Sequence, residues 1–577
     1  MANLNKIDVP IAVTHKTKLD LSCDHVTSMG FMTTQPVFYR HMIKGERISI
    51  NASSTVRPAP IEVPSFGQLN QNLRYFFVPY RLVFPNWDSF YNDVIASNYS
   101  TNSLVSTPPV LKNSILTSFF LTSAYSSATT GSVYDFTHVG VNYQYTPQGR
   151  FILKLLRSLG YEVIWSDKGS DIEYNALALL AYVKIYLDWY ANSQYLNSAD
   201  TLFFERAIKF NDPSSNLDVS VLLLGSLFNL VNNVVYDVDD YFVNAWDNPV
   251  SPNAGQYTGF SFIDPTSNSG TYVTTNSMGS PEMITTSTTP LSVGTTYIHE
   301  ALKKLTDFQK RHALAGARSI DRVLAQYGVV TDYLKQQRSI YVGNQQTGID
   351  IGSVYATAAG SNGSDSSSTG DYSGAGFGMR KDFNLDFQAD EEGVLICVAS
   401  IIPSGTIVQG YDRNNLHLRK TDFFVPEFDS LGVQAIEKGE VYVSPSDTYA
   451  GTATDYRGVF GFTGRYGEYK RPKSFFTGDM SLDSAMLGGR SWVLNRLFTD
   501  SSFGSISQQV HSLSFTRGQD ADQYHRIFQY VNGDLDPFYC FMHFNVASYA
   551  PCKPLFETYE FDDTGKSVPT ENGNKVN

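Results

Sequence analysis

The first part of the chain alternates apolar and polar residues with a period of two. The segment HMIKGERISINAS turns at Lys44-Gly45 and then places Ile48 and Ile50 between polar neighbours. This alternation is typical of a strand with one buried face. Residues 33–85 are therefore predicted to form strands and turns.

Three further segments predict buried strands. NLRYFFVPYRLVF predicts a strand that ends at Pro79, because proline cannot donate to a ladder. The apolar run VLICVA (394–399) is long enough for a strand buried on both faces and too short for a typical helix. Cys397, within this run, is predicted to be a buried free thiol. PFYCFMHFNVASYAP (537–551) alternates large aromatic and smaller residues, which predicts a late core strand.

A helical period occurs between the strand regions, in residues 172–195. Apolar and aromatic side chains recur on one face, and charged residues form a narrow stripe opposite, which predicts a mostly buried helix. The apolar face comprises Leu179, Tyr182, Val183, Tyr186 and Tyr190, and the stripe comprises Glu173, Lys184 and Asp188. Tyrosines with this spacing indicate core packing rather than a cofactor site.

A second helix is predicted from about His299 to Tyr327, with Gly328 as its C-terminal stop. It carries an excess of Lys and Arg. A positive helix face is usually only solvated, and a nucleic-acid contact is the open alternative. The candidate contacts to DNA or to a neighbouring subunit on this helix are Lys303, Lys304, Arg311 and Arg318.

Strands at both ends of the chain and helices in the middle predict a β-sandwich that is closed by its first and last strands. Residues 359–378, rich in Gly and Ser, predict a flexible loop. The predicted divisions are an N-terminal arm (1–30), the first strands with a helical insertion (31–203), an inserted surface subdomain (204–296), and a helix with the remaining strands and a C-terminal tail (297–577).

The composition favours a β-rich protein that associates with other chains. Of the 577 residues 14% are aromatic, 42% are hydrophobic and only 17% are charged, so oligomerisation is expected to bury surface outside the core. The net charge of −13 argues against a main surface that binds nucleic acid. The sequence shows no signal peptide and no membrane span, and we expect assembly in a cytoplasm.

No motif has the residues of a familiar catalytic or cofactor site. The stretch GKS near the C-terminus lacks the first glycine of a phosphate-binding loop, and the four cysteines lack metal-ligand spacing. Asp237, Asp239 and Asp240 could offer oxygens to a hard cation, although such clusters are more often solvated loops. We therefore predict a protein that is not an enzyme and has no cofactor.

The segment RYGEYKRPKSF (465–475) concentrates positive charge in an otherwise acidic chain. Its cations oppose only Glu468, which leaves a local charge of +3. Its candidate interface residues are Arg465, Tyr466, Tyr469, Lys470, Arg471 and Lys473. The segment is either a nucleic-acid contact or a solvated edge, and short basic runs are commonly the latter.

Several blocks over almost the whole chain follow the order of one family. They include LDLSCDH, YFFVPYRLVFPNWDSF, AYVKIYLDWYANSQY, EEGVLICVASIIPSGTIVQGYDR and GFTGRYGEYKRPKSFFTGDM. The longest is FQKRHALAGARSIDRVLAQYGVVTDYLKQQRSIYVGNQQTGIDIGSVYATA. Together they resemble the major capsid protein of microviruses, on the gokushovirus-like side of that group. One departure is Lys44-Gly45-Glu46, where the family usually has Pro-Gly-Asp.

This resemblance implies a mainly-β fold, a single viral jelly-roll β-barrel with long loop insertions that contain several α-helices. It implies a T=1 icosahedral shell around circular single-stranded DNA. By position, residues 204–296 correspond to the insertion that forms threefold protrusions and is used in host attachment. The implied partners are other copies of the chain, packaged DNA, a small basic DNA-packaging protein, minor, spike or pilot proteins, and a host-cell receptor.

Within this family the basic segment has two competing uses, an inward contact to DNA or its basic companion and a contact between subunits. The second is favoured because carboxylates are abundant in a chain with a net charge of −13. A carbohydrate-binding or glycoside-hydrolase jelly roll is the alternative function, since aromatic-rich sandwiches often present Trp and Tyr to sugars. The five tryptophans and the lack of a signal peptide count against it.

Overall fold

The computed structural model of the chain describes one large sheet, the helices that pack on it and several shorter segments. The described residues are 16–61, 65–84, 87–91, 96–97, 102–103, 108–112, 135–138, 141–144, 147–162, 172–190, 241–242, 261–263, 270–275, 281–285, 303–304, 307, 324, 327–328, 338–355, 360–362, 365–367, 372–404, 409–418, 420, 422–429, 433–443, 459–471, 474–478, 492–495, 524–528, 536–552, 559–561 and 567–569.

Strands predominate among the described elements. In chain order they are β1 Thr17–Asp20, β2 Cys23–Met29, β3 Gln35–Met42, β4 Arg47–Pro58, β5 Leu69–Pro79, β6 Ala96–Ser97, β7 Asn102–Ser103, β8 Val110–Lys112, β9 Asp135–His138, β10 Val141–Gln144, β11 Glu173–Asn175, β12 Ser261–Ile263, β13 Gly270–Thr275, β14 Pro281–Thr285, β15 Ile340–Tyr355, β16 Gly360–Asn362, β17 Asp365–Ser367, β18 Tyr372–Gln388, β19 Gly393–Pro403, β20 Val433–Glu437, β21 Val459–Gly464, β22 Phe538–Ala550, β23 Tyr559–Phe561 and β24 Ser567–Pro569.

The described helices are fewer than the described strands. They are α1 Tyr80–Val83, α2 Trp87–Tyr91, α3 Pro147–Ser158, α4 Leu177–Ile185, α5 Lys438–Val441 and α6 Gly467–Lys470, with a π-helical turn at Tyr186–Tyr190 and 3-10 turns at Arg413–Leu416 and Pro426–Phe428. In the described part of the chain, none of them has the length and apolarity that crossing a bilayer requires.

Nine strands form one curled antiparallel sheet. Its order is β1, β22, β4, β18, β15, β5, β19 and β3, and β2 also pairs with β22. The last long strand, β22, therefore lies between the N-terminal strands β1 and β2 on one side and β4 on the other. The predicted closure by the first and last strands is confirmed, as is the mainly-β jelly-roll fold. Residues 17–29 of the predicted arm are paired within this sheet.

Side chains join the two ends of the curled sheet. Phe38 of β3 packs against Phe544 of β22, with ring centroids 5.2 Å apart. Gln35 of β3 donates from Nε2 to Thr27 Oγ1 of β2 at 2.7 Å. Strand β3 thus meets β2 and β22 through side chains rather than through a backbone ladder.

Glu46, in the turn between β3 and β4, reinforces this closure from a fully buried position. Its carboxylate accepts hydrogen bonds from Arg40 Nη2 of β3 at 3.2 Å, from the Ile43 backbone N–H at 2.9 Å and from Ser548 Oγ of β22 at 2.5 Å. The turn itself needs Gly45, whose φ of +79° lies in the left-handed region, as the Lys44-Gly45 pattern predicted.

Strand β19 separates two cores, because it is buried on both faces as predicted from VLICVA. Leu395, Cys397 and Ala399 point into the core inside the curl, which also contains Ile50 and Phe544. The alternate residues Val394, Ile396 and Val398 point outward into a second core under the helices. Cys397 is a buried free thiol, which confirms that prediction.

The helices α1, α3 and α4 cover the outward face of β5 and β19. The predicted buried helix at 172–195 is confirmed for 177–190, but it begins later because Glu173–Asn175 pairs with β8. Tyr182 is packed in this core, and its hydroxyl donates to the Thr34 carbonyl at 2.9 Å. The tyrosine stripe is therefore packing, as predicted.

The charged stripe of this helix is partly buried. Lys184 Nζ lies 3.0 Å from Asp188 Oδ1, and the other oxygen of Asp188 accepts the Ser339 backbone N–H at 2.8 Å. These contacts connect the helix layer to the start of β15.

The flexible loop predicted at 359–378 is wrong over 372–378, which belongs to strand β18 and pairs with β15 over 372–377. Within the same stretch, β16 and β17 pair as a short hairpin. The glycines of this stretch allow close contacts between strands. A Cβ at Gly376 would lie 2.4 Å from Pro58 Cγ. A composition typical of linkers therefore serves here to let strands approach each other.

The predicted end of the second long helix is confirmed at Gly328. This residue has a φ of +66°, and its N–H donates to the Leu324 carbonyl at 2.9 Å. Most of the helix before it lies outside the described residues.

Replacing Glu46 by Gln should lower the free energy of unfolding by about 3 kcal/mol, because it leaves the partly buried Arg40 without its carboxylate partner. Thermal and urea unfolding of the purified chain measure the loss. The matched control is Asp386→Asn, which removes an exposed pair with Arg47 at 3.7 Å and should cost less than about 1 kcal/mol. Equal losses would contradict a special role for Glu46.

Candidate subunit or nucleic-acid interface

The basic segment lies in a small unit that we call the Tyr466 module, the described residues between 409 and 478. Its framework is the antiparallel pair β20 and β21, which forms a sheet separate from the large one. The 3-10 turns at Arg413–Leu416 and Pro426–Phe428 and the helices α5 and α6 surround this pair. Its small hydrophobic core consists of Ile436, Val441 and Phe460, and Phe242 from an earlier part of the chain joins it.

Tyr466 begins helix α6 and is almost completely buried. Its φ of 60° is unusual for a bulky residue, so the surroundings must hold it in place. The Tyr466 N–H donates to Gln434 Oε1 at 3.0 Å, and Gln434 Nε2 donates to the Glu468 carboxylate. Gly467 follows because a Cβ there would lie 2.9 Å from Thr463 Oγ1. Tyr-Gly-Glu is thus a turn fixed by β20.

Arg413 balances two carboxylates inside the module. Its Nη1 lies 3.0 Å from Glu440 Oε1 and 3.6 Å from Glu437 Oε1. Burial raises the pKa of Glu440, although the hydrogen bond from the Glu437 N–H and the charge of Arg413 oppose that shift. Burial also raises the pKa of Tyr411, whose hydroxyl donates to Glu437 Oε2 at 2.5 Å.

Two cations of the basic segment, Lys470 and Arg465, already have partners within the chain. Lys470 Nζ lies 2.6 Å from Asp429 Oδ1, and this pair is partly exposed. The Arg465 guanidinium lies over the rings of Phe428 and Tyr466, at 5.5 and 5.2 Å from the centroids, in cation–π contacts.

His417 contacts helix α6 through Glu468 and Tyr469. His417 Nε2 lies 3.3 Å from Glu468 Oε1, and both side chains are almost buried. The imidazole stacks on Tyr469, with centroids 5.6 Å apart, while Phe423 meets it edge to face. The turn containing His417 is thereby fixed against the basic segment.

In three dimensions the module is nearly neutral, although the basic segment alone is not. Its described residues carry seven Asp or Glu and six Lys or Arg. Its surface is rich in exposed apolar side chains, namely Leu418, Phe423, Phe424, Tyr469 and Phe475. Neutral aromatic surfaces resemble the centres of protein–protein interfaces more than cationic grooves for DNA.

The other candidate residues are not brought into this site by the described structure. Lys303 and Lys304 have helical backbone and exposed side chains. Arg471 is described within the module, whereas Lys473, Arg311 and Arg318 lie outside the described residues, as do the candidate cation ligands Asp237, Asp239 and Asp240. The described residues contain no group of three or more His, Cys, Asp or Glu that could hold a metal ion.

Sequence reasoning missed the residues that surround the basic segment. Asp429, His417 and Phe424 come from 36 to 48 residues before Arg465, and no local pattern linked them to the segment. The one available signal was the block FFVPEFDSLG, which precedes the segment and contains Phe424 and Asp429. Its mixture of aromatic and acidic residues complements a basic and aromatic partner.

Comparison with known proteins now bears on what such a surface is for. Residues 8–132 and 237–556 match the family described as Capsid protein (F protein), which is more than half of the chain and includes β1 to β8, the Tyr466 module and β22. The chain belongs to this capsid protein family. The expectation of a microvirus capsid protein is therefore confirmed, and a capsid protein is a component of the virion.

Two relatives agree with this assignment. Capsid protein VP1 of Bdellovibrio phage phiMH2K is 23% identical over 500 residues, which cover 80% of this capsid chain and 82% of the relative. Capsid protein VP1 of Chlamydia phage 1 is 22% identical over 547 residues, with coverages of 82% and 85%.

Two tyrosines of α6 provide a matched test of the module. Tyr466→Ala should lower the free energy of unfolding by about 3 kcal/mol or more, because it empties a buried site. Tyr469→Ala, at a side chain that is 46% exposed, should cost less than about 1 kcal/mol. Urea unfolding followed by tyrosine fluorescence measures both. A larger loss for Tyr469 than for Tyr466 would contradict the arrangement described.

Proposed function

We propose that this capsid chain is the major coat protein of a bacteriophage and assembles into a small T=1 icosahedral shell around circular single-stranded DNA. Its role is structural rather than catalytic. Assembly takes place in the host cytoplasm. The observation that carries the proposal is the family match over both halves of a jelly roll whose first and last strands pair with each other.

In this proposal the Tyr466 module is a contact between subunits. Its near neutrality and its exposed aromatic side chains support this use over a direct DNA contact. The partner surface on a neighbouring subunit would meet Phe423, Phe424 and Tyr469. Lys470 and Arg465, held by partners within the chain, would position this surface rather than bind phosphate.

Packaging of DNA then depends on other groups. A chain with a net charge of −13 cannot neutralise a genome by itself, so a small basic protein is the proposed companion inside the shell. The exposed Lys303 and Lys304 are candidates for local contacts to DNA. Minor, spike or pilot proteins complete the proposed particle.

Residues 204–296 are the proposed threefold protrusion and host-attachment region. Within them, β12, β13 and β14 form a three-stranded antiparallel sheet of their own that does not join the large sheet. The family match is interrupted at residues 133–236, which overlaps the first part of this region. This separate small sheet supports the proposal that the region is an inserted subdomain with its own receptor contact.

The triple variant Lys470→Gln, Arg471→Gln and Lys473→Gln tests the role of the basic segment. We expect shells to form at least several-fold less than for the wild-type chain, because the pair with Asp429 and the shape of the contact surface are lost. Negative-stain electron microscopy and sedimentation measure shell yield, and nuclease-protected DNA measures packaging.

The control for this variant is Lys303→Gln with Lys304→Gln, which should leave shell yield unchanged. Normal shells from the triple variant with little protected DNA would assign the segment to the genome instead. Failure of the wild-type chain to form particles under any condition would contradict the capsid proposal itself.

Deleting residues 250–290 removes β12 to β14 and leaves every strand of the large sheet intact. We expect particles to assemble with near wild-type yield and to bind host cells many-fold less, because the proposed receptor contact is gone. Electron microscopy and a cell-adsorption assay measure the two effects. Loss of assembly would instead place this segment in an interface.

A further inference from the structure

We propose that the outward face at the start of β22 is a contact surface for a second copy of this chain, separate from the Tyr466 module. This surface, called here the aromatic face, consists of five exposed apolar side chains. They are Val26 (74% exposed), Phe377 (48%), Met379 (46%), Tyr539 (54%) and Phe541 (44%). The inference rests on the proposed assembly into a shell.

The strand register makes the aromatic face continuous. Val26 of β2 lies opposite Phe541 of β22, Phe541 lies opposite Thr55 of β4, and Thr55 lies opposite Met379 of β18. Side chains at directly opposite positions have Cβ atoms about 4.5–5.5 Å apart. They therefore form one row across four strands, and Tyr539, two residues before Phe541, belongs to the next row.

The core of the sheet does not need the apolar side chains of the aromatic face. The alternate residues of β22, Phe538, Cys540 and Met542, already fill the core on the inner side. The chain covers the apolar outward face of β5 and β19 with helices, but the aromatic face keeps its exposure within the described structure. Contiguous exposed apolar patches of this kind mark interaction sites.

The charges around the aromatic face indicate which kind of partner it binds. Arg57 lies opposite Tyr539 and Asp350 lies opposite Phe377, while Asp24, two residues before Val26, is hydrogen-bonded to His543, so neither sign of charge is in large excess next to the aromatic face. DNA would require an excess of cations, and a basic protein would require an excess of carboxylates. Two copies of a chain with a net charge of −13 repel each other, and a balanced apolar face offers them a surface where this repulsion is small.

The surroundings of the patch also resemble an interface. Further along the same face, Asn51 of β4 lies opposite Asn545 of β22 and Asn384 of β18. Between Phe541 and Asn545 on β22, His543 Nδ1 lies 2.5 Å from Asp24 Oδ1 of β2, so a hydrogen-bonded histidine–carboxylate pair and then uncharged polar side chains border the apolar residues. An apolar centre with a polar rim is the usual anatomy of a protein–protein contact. A closed shell needs more than one kind of contact between copies, so a second surface beside the Tyr466 module is expected.

A photo-crosslinking amino acid at position 26, in place of Val26, identifies what covers the aromatic face in assembled particles. We expect crosslinks between two copies of the chain, mapped by mass spectrometry, several-fold above those from the same probe at the exposed Gln388. Crosslinks mainly to DNA or to a different protein, or none above the Gln388 control, would overturn the inference.

Phe541→Glu gives an independent measurement. We expect at least a tenfold loss of shell yield by sedimentation and electron microscopy, with a melting temperature close to that of the wild-type chain. The matched control is Asn545→Glu, which adds the same charge to the same face of the same strand and should change yield far less.

The outcomes separate the two levels of the proposal. Normal shells from Phe541→Glu beside normal wild-type shells overturn the aromatic-face contact and leave the capsid function standing. Absence of shells from the wild-type chain overturns the capsid function first. A Phe541→Glu chain that fails to fold leaves the crosslinking result at position 26 to decide.

Discussion

The structure depends on the closure of its curled sheet around the C-terminal strand. Strand β22 pairs with β1 and β2 on one side and with β4 on the other. It lies more than 470 residues further along the chain than these three strands. Contacts that join such distant segments are costly in loop-closure entropy and are made late in folding. The buried carboxylate of Glu46, bonded to β3 and β22 at once, gives this closure a single geometry.

The closure of the sheet gives it an inner and an outer face, and the proposed function uses this division. A closed sheet has one inner face, filled by alternate residues, and its outer face is free for insertions or partners. Over β5 and β19 the chain uses its own helices, held by the contacts of Asp188 and Tyr182. Over β22 it places exposed aromatic residues instead. One sheet thus has an outer surface that its own helices cover and another that stays exposed in the described structure.

The sequence predicted what local patterns determine. The two-sided burial of VLICVA, the turn at Lys44-Gly45 and the helix end at Gly328 depend on residues that are close in the chain, and each is confirmed. The loop prediction at 359–378 was wrong over 372–378, because glycine content does not distinguish flexible linkers from strands that approach closely, as at Gly376. The contacts of Lys470 with Asp429 and of Glu46 with Ser548 were missed because these partners lie far away in sequence.

The basic segment shows why charge must be judged in space. Its local charge of +3 left phosphate binding open as one alternative, and the fold supplies Asp429 to Lys470 and aromatic rings to Arg465. The described residues of the module carry seven carboxylates and six cations. A cation that is paired within the chain has less to gain from a phosphate, because the existing contact must be broken first. Exposed aromatic side chains have no such competitor, and in the proposed contact between subunits they would supply most of the binding energy.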